Sequence, residues 1–193
     1  MTIEKLKATD VVSSGLTCNT KAGEAAQATG LFEIKCYDKD GNLKWQAESK
    51  NLVVNVGLQY MAGTALDGTT TRVTSWFLGL YGAGASNTPA AGDTMASHAG
   101  WTEVTAYSNG TRVTATFVAA TTANPSVVTN TASPAVFNIN GTTTVGGAFL
   151  TSENTKGGTT GTLFSAADFG SPGDRSVVNS DTLSVTYTFS LAA

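Results

Sequence analysis

The stretch that most restricts the fold is the last one, "SVVNSDTLSVTYTFSLAA" over residues 176–193. From Thr182 onward, Leu183, Val185, Tyr187, Phe189 and Leu191 occupy every second position, with Ser184, Thr186, Thr188 and Ser190 between them. That is the period of a half-buried strand, not of a helix. At roughly 3.3 Å per residue it runs the depth of a small sheet. One face is built for a core and the other carries only hydroxyls, which suit water, a neighbouring subunit or a sugar and perform no chemistry themselves.

Other segments repeat the pattern. "LFEIKCYDKDGNLKWQAES" places Phe32, Ile34 and Cys36 on one face, turns at Asp40-Gly41-Asn42, and returns through Leu43, Trp45 and Ala47, as a β-hairpin does. "NLVVNVGLQYMAGTALDG" begins as a short strand and becomes helical in period at Leu58, Met61, Ala62 and Ala65, with Asn55 as the expected cap and Asp67-Gly68 as the stop. "VTSWFLGLY" over 73–81 is apolar on both faces and belongs in mid-sheet. Residues 82–100 read as a long Gly/Ala loop, with a helical turn expected after Asp93. Two further hairpins are expected at Asn109-Gly110 and Asn140-Gly141, the first with Val113, Ala115 and Phe117 on one face. Seven to nine strands, one short helix and no fixed-period repeat indicate an all-β chain folded as an antiparallel β-sandwich, jelly-roll or Ig-like. Residues 30–193 form that domain. Residues 1–29 mix charge with Gly, Ala and Thr without a sustained period and are expected to be an extended N-terminal arm.

Charged residues make up only 13% of the 193, so solubility rests on hydroxyls. Residues 1–50 hold 7 basic and 7 acidic residues, leaving 4 of the 11 basic and 7 of the 14 acidic for the rest of the chain. A net charge of −3 lacks the clustered Lys and Arg that phosphate binding needs, so nucleic acid is not expected as a partner. No apolar run reaches the roughly 20 residues of a membrane span, and "MTIEKLKATDVVSSGLT" lacks the apolar centre of a secretory signal, so synthesis in a cytoplasm is expected. Cys18 and Cys36 have neither metal-ligand nor redox spacing, and free thiols are expected.

Catalysis needs groups whose pKa values can be set against each other, and the chain is poor in them. His98 is the sole histidine, reads as a polar loop residue near Trp101, and has no His or Cys neighbour in sequence to help it hold a metal. Asp38-Lys-Asp40-Gly-Asn42 is like the start of a calcium loop, but its Gly comes early and Ser49 stands where a bidentate Glu is required, so a turn is expected. "YGAGASN" over 81–87 lacks the Walker lysine. Asn109-Gly-Thr111 and Asn140-Gly-Thr142 match the glycosylation pattern but are accounted for as turns. Asp168, Asp174 and Asp181 read as surface carboxylates, and Trp76, Trp101, Tyr81 and Tyr107 as core filling in preference to a sugar-stacking platform. No catalytic, cofactor or metal residue is therefore assigned, and an enzyme is not expected.

Taken in order, "GLFEIKCYDKDGNLKWQAESKNLVVNVGLQYMAG", "GDTMASHAGWTEVTAYSNGTR", "SPAVFNINGTTTVGGAFLTSENTKGGTTGTLFSAADF" and "SVVNSDTLSVTYTFSL" resemble a group of tailed-bacteriophage structural proteins over most of residues 30–193. The resemblance implies a virion component, a small β-sandwich head decoration (cement) protein on the capsid surface. Its implied partners are the major capsid protein and further copies of itself. It supplies no catalytic motif. Two rivals share the same composition: a tail, neck or head-fibre component, and a carbohydrate-binding module that holds a virion to a host glycan.

Overall fold

A computed structural model of the chain describes residues 26–82, 88–169 and 173–193. Residues 1–25 of the arm expected over 1–29, with Cys18, lie outside the described residues, as do 83–87 of the Gly-rich run at 81–87. Two antiparallel sheets face each other. In the first, β2 (Leu43–Lys50) lies beside β1 (Gln27–Tyr37), which pairs along its whole length with β12 (Thr182–Ala192). The other side of β12 is shared end to end by β7 (Ser126–Thr129) and β8 (Ala135–Asn138). In the second sheet the order is β3 (Leu52–Val53), β10 (Leu163–Asp168), β9 (Thr143–Thr151) and β4 (Trp76–Gly82). Beyond β4 lie β5 (Glu103–Val104) and β6 (Val113–Ala115), and β11 (Arg175–Val177) extends β10's side of β9.

The alternation read at the C-terminus is the one that builds the core. Leu183, Val185 and Tyr187 are buried with Phe32, Ile34 and Cys36 of β1, against Leu78, Leu80, Leu150 and Phe164 of the opposite sheet. Thr182, Ser184, Thr186, Thr188 and Ser190 stay half exposed on the outside. The fold is therefore the expected all-β sandwich with one short helix. β1 begins at Gln27, so residues 27–29 pair with 190–192 and belong to the sheet.

The break between β7 and β8 is closed by one buried side chain. Asn130 donates its Nδ2 to the carbonyl of Val185 at 3.2 Å and accepts the amide of Tyr187 on Oδ1 at 2.6 Å. A side-chain amide stands in for the missing strand and leaves no central peptide group of β12 unpaired there.

Four local expectations need correction. First, β5 and β6 both pair with β4 and not with each other, so residues 101–120 form no hairpin. Asn109 instead uses its side chain on β8, accepting Asn138 N–H at 3.1 Å and donating to Val136 O at 3.1 Å. Second, Asn140-Gly141 joins β8 of one sheet to β9 of the other, because the two strands present their apolar faces from opposite sides of the core. Neither Gly110 nor Gly141 has a positive φ, which a type I′ turn requires. Third, the helix α1 (Asn55–Ala62), continued by a π-helical turn over Gly63–Asp67, is capped at Val54 without a side-chain bond. Its inward face runs through Gly57, Tyr60 and Met61, while Leu58, Ala62 and Ala65 face outward. Gly57 decides this: a Cβ there would lie 2.3 Å from the carbonyl oxygen of Phe164, so only glycine lets the helix settle on β10. Fourth, no helical turn follows Asp93; Thr94 and Ser97 form a bridge, and Asp93 Oδ2 instead accepts the Trp101 indole N–H at 3.0 Å and the Ala90 amide at 2.9 Å.

That last contact builds a second core. Met95, from the segment expected to be a Gly/Ala loop, and Trp101, just after it, cover Tyr81, Phe149, Leu163 and Ala166 on the outer face of the second sheet. Among the described residues, the first sheet's outer face has no such cover.

Candidate functional site

The uncovered face is the outer side of the first sheet. Down its centre runs the row Thr182, Ser184, Thr186, Thr188 and Ser190 of β12. Register places Leu31, Glu33 and Lys35 of β1 on one side of the row, then Gln46, Glu48 and Lys50 of β2. On its other side lie Val127 and Thr129 of β7 and Val136 of β8. Thr188 and Thr129 exchange a hydroxyl bond at 2.9 Å, and Lys35 pairs with Glu33 at 2.7 Å within β1. Among the described residues the hydroxyls of Thr182, Ser184, Thr186 and Ser190 bond to nothing else in the protein, which leaves each free to donate and accept across an interface. Placing uncharged hydroxyls at the centre and charges toward one margin makes this face inexpensive to dehydrate where contact would be closest.

The residues considered for chemistry are dispersed. His98 stacks on Trp101 with ring centres 3.9 Å apart and places Nδ1 2.7 Å from the Trp101 carbonyl oxygen, so its contacts hold the second core's covering segment. Asp38 Oδ1 accepts the amides of Asp40 at 2.9 Å and Asn42 at 2.8 Å around Gly41, whose φ is +82°; these bonds hold its carboxyl below the ordinary range and define a turn. Asp168 and Asp174 both act on Tyr81, whose hydroxyl is buried and whose pKa is pushed up, first by burial and then by these carboxylates. Asp181 is elsewhere and is no surface residue. It is buried, pairs with Lys44 at 2.5 Å, accepts the Val178 amide at 2.9 Å and takes the Cys36 thiol at 3.8 Å. The three aspartates thus do not converge. Among the described residues no group of three or more His, Cys, Asp or Glu side chains is placed to hold a metal ion.

Of the four aromatics that a glycan platform would use, Tyr81, Trp101 and Tyr107 are buried. Trp76 is half exposed, held edge-on between Tyr60 and Phe164. Ser49 donates to the carbonyl of Asp168 and so ties β2 to β10 across the sandwich.

Sequence reasoning missed one buried ionic anchor. Arg112 is 1% exposed and grips Glu103 with two bonds, Nε to Oε1 at 3.0 Å and Nη2 to Oε2 at 2.7 Å. It also donates to the carbonyls of Glu153 at 2.9 Å and Gly158 at 2.7 Å, and so clamps the 152–161 loop to the sheet edge. Four of its five N–H donors are spent on fixed acceptors, as positioning requires and substrate binding does not. No spacing in the sequence pairs Arg112 with Glu103.

No protein-family model, no curated protein and no solved structure matches the chain.

Proposed function

We propose that this chain is a bacteriophage virion structural protein, a capsid decoration (cement) protein that binds the major capsid shell through the outer face of the first sheet and stiffens it. The observation that carries the reading is the row Thr182–Ser190. Among the described residues it presents hydroxyls, all but that of Thr188 unspent, on a central strand without cover, where the equivalent face of the second sheet is covered by Met95 and Trp101. A protein that must adhere to many equivalent shell sites needs such a surface and needs no reactive group. The segment-by-segment resemblance supports the same reading. The role is mechanical, with no cofactor or metal, no nucleic acid and no membrane. The glycan-binding alternative loses support from the burial of Tyr81, Trp101 and Tyr107.

The test compares two neighbouring residues of β12. Thr186→Asp adds a charge to the outer face, directly opposite Glu33, and should leave a folded subunit of slightly lowered melting temperature that binds undecorated shells roughly tenfold or more weakly, because the charge loses its water on contact. Val185→Asp puts the same charge among fully buried side chains and should prevent folding. Unaltered shell binding by folded Thr186→Asp would remove this face from the contact. A tail, neck or head-fibre component is separated from a cement protein by the gene's neighbours, since a cement gene is expected beside that of the major capsid protein.

A further inference from the structure

Burial fades along the inner face of β12. Leu183, Val185 and Tyr187 are at most 1% exposed, whereas Phe189, next in phase, is half exposed and Leu191 is 41% exposed. The first sheet thus runs past the second and carries core-phased side chains that the second leaves partly uncovered. Where the sheets part, Phe189 joins Trp76, Phe117, Val128 and Phe164 around an open groove of ≈ 200 Å³. Trp76, Phe117 and Val128 are half exposed there too, and no charged side chain lines the groove.

We propose that this groove is filled by the chain's own N-terminal segment, residues 11–18, folded back over the mouth of the sandwich. Three observations select that occupant. The first is position. The described chain begins at Ala26, and Gln27 pairs with Ala192, which lies three residues beyond Phe189 on β12. The preceding residues therefore enter the sheet at the groove's own end. The second is composition and reach. Residues 11–20, "VVSSGLTCNT", carry no charge between Asp10 and Lys21, and in an extended chain Val12, Leu16 and Cys18 share one face, which matches an uncharged apolar groove. Residues 21–26 span up to about 20 Å, and Gly23 among them admits the reversal that a return requires. A return centred on Gly23 puts Leu16 level with Gly30, the residue opposite Phe189. The third is size. The groove takes only a few side chains, far less than the roughly 800 Å² that each partner buries in a stable complex. A tethered segment needs no such area, because its linker holds it at an effective concentration of about millimolar. The contact lies on the inner side of the first sheet, away from the hydroxyl row, so it stands or falls independently of shell binding.

The test is disulfide trapping in the full chain, with Cys18 as the native probe. Cys36 is fully buried and does not compete. Val128→Cys puts a thiol in the groove, while Val127→Cys puts one beside it on the outer face of β7, equally near the start of β1. Under mild oxidation of dilute protein, Val128→Cys is expected to form an intramolecular disulfide with Cys18 severalfold faster than Val127→Cys does. A second measurement needs no thiol. Leu16→Asp should empty the groove and raise the fluorescence of an added apolar dye severalfold with circular dichroism unchanged, whereas Ser13→Asp, on the segment's other face, should not. Equal trapping at positions 127 and 128 would overturn the proposal. So would a disulfide that links two chains, which would give the groove to a second copy. Dye binding by the parent as strong as that of Leu16→Asp would overturn it as well, since the groove would then stand open in the isolated chain for a segment of the shell.

Discussion

Cys36 illustrates how much a single position owes to partners far away in sequence. Alternation with Phe32 and Ile34 identifies it as inward-facing, and it is fully buried and free. The alternation does not reveal that it lies on Asp181, 145 residues away. Burial, followed by the Asp181 carboxylate, pushes its thiol from 9.0 up to about 11. The folded state thus keeps a proton that the unfolded chain gives up from about pH 9, and the thiol's stabilising contribution is fully present below pH 9 and lost as pH rises toward 11. Two pH units of difference correspond to about 2–3 kcal/mol. The expected outcome is a melting temperature that falls between pH 9 and 11, with a shallower fall in Cys36→Ala. Equal slopes in the two proteins would show that the thiol does not titrate with unfolding. A thiol reagent at neutral pH should likewise leave Cys36 unmodified until the protein unfolds.

At the scale of elements, Gly57 sets propensity against packing. Alanine is the better helix former by about 1 kcal/mol. In this helix, however, an added Cβ meets the Phe164 backbone, which belongs to β10 and cannot yield as a side chain would. Gly57→Ala is therefore expected to lower the melting temperature by several degrees, corresponding to about 1–3 kcal/mol of overpacking. An unchanged or raised midpoint would mean that the helix is free to move off the sheet. The same position explains why the helix's facing could not be read from its apolar period. Leu58, Met61, Ala62 and Ala65 have a sound helical spacing, but the inner face is chosen by closeness of approach, a property of a missing side chain. The long strands were legible because their alternation is a direct consequence of having one buried face, as in β1 and β12. Asn109-Gly110 and Asn140-Gly141 were misleading for the opposite reason: a turn-forming dipeptide records a local preference, while pairing is settled by which strands share a sheet. Asn130 and the Arg112–Glu103 clamp left no local trace at all, since each satisfies groups distant in sequence.

For the whole molecule, the two sheets differ in what lies outside them. Among the described residues, the second sheet is enclosed by Met95, Trp101 and the start of the helix, while the first presents a row of hydroxyls without such cover. The covering segment reads in sequence as a Gly/Ala loop over 82–100 with a helical turn after Asp93 because Gly and Ala dominate it, and its two anchors, Asp93 and Trp101, are far enough apart to escape any periodic pattern. The hydroxyl face itself is legible in the sequence, since alternation specifies both sides of a strand. The measurement that bears most directly on the proposed role is electron microscopy of the intact particle at a resolution that traces strands. The expected result is the sandwich on the outer surface of the head, with Thr182–Ser190 against the capsid subunits and Met95 and Trp101 turned away. Density for the sandwich in the tail or neck, or on the head with the hydroxyl row facing solvent, would contradict it.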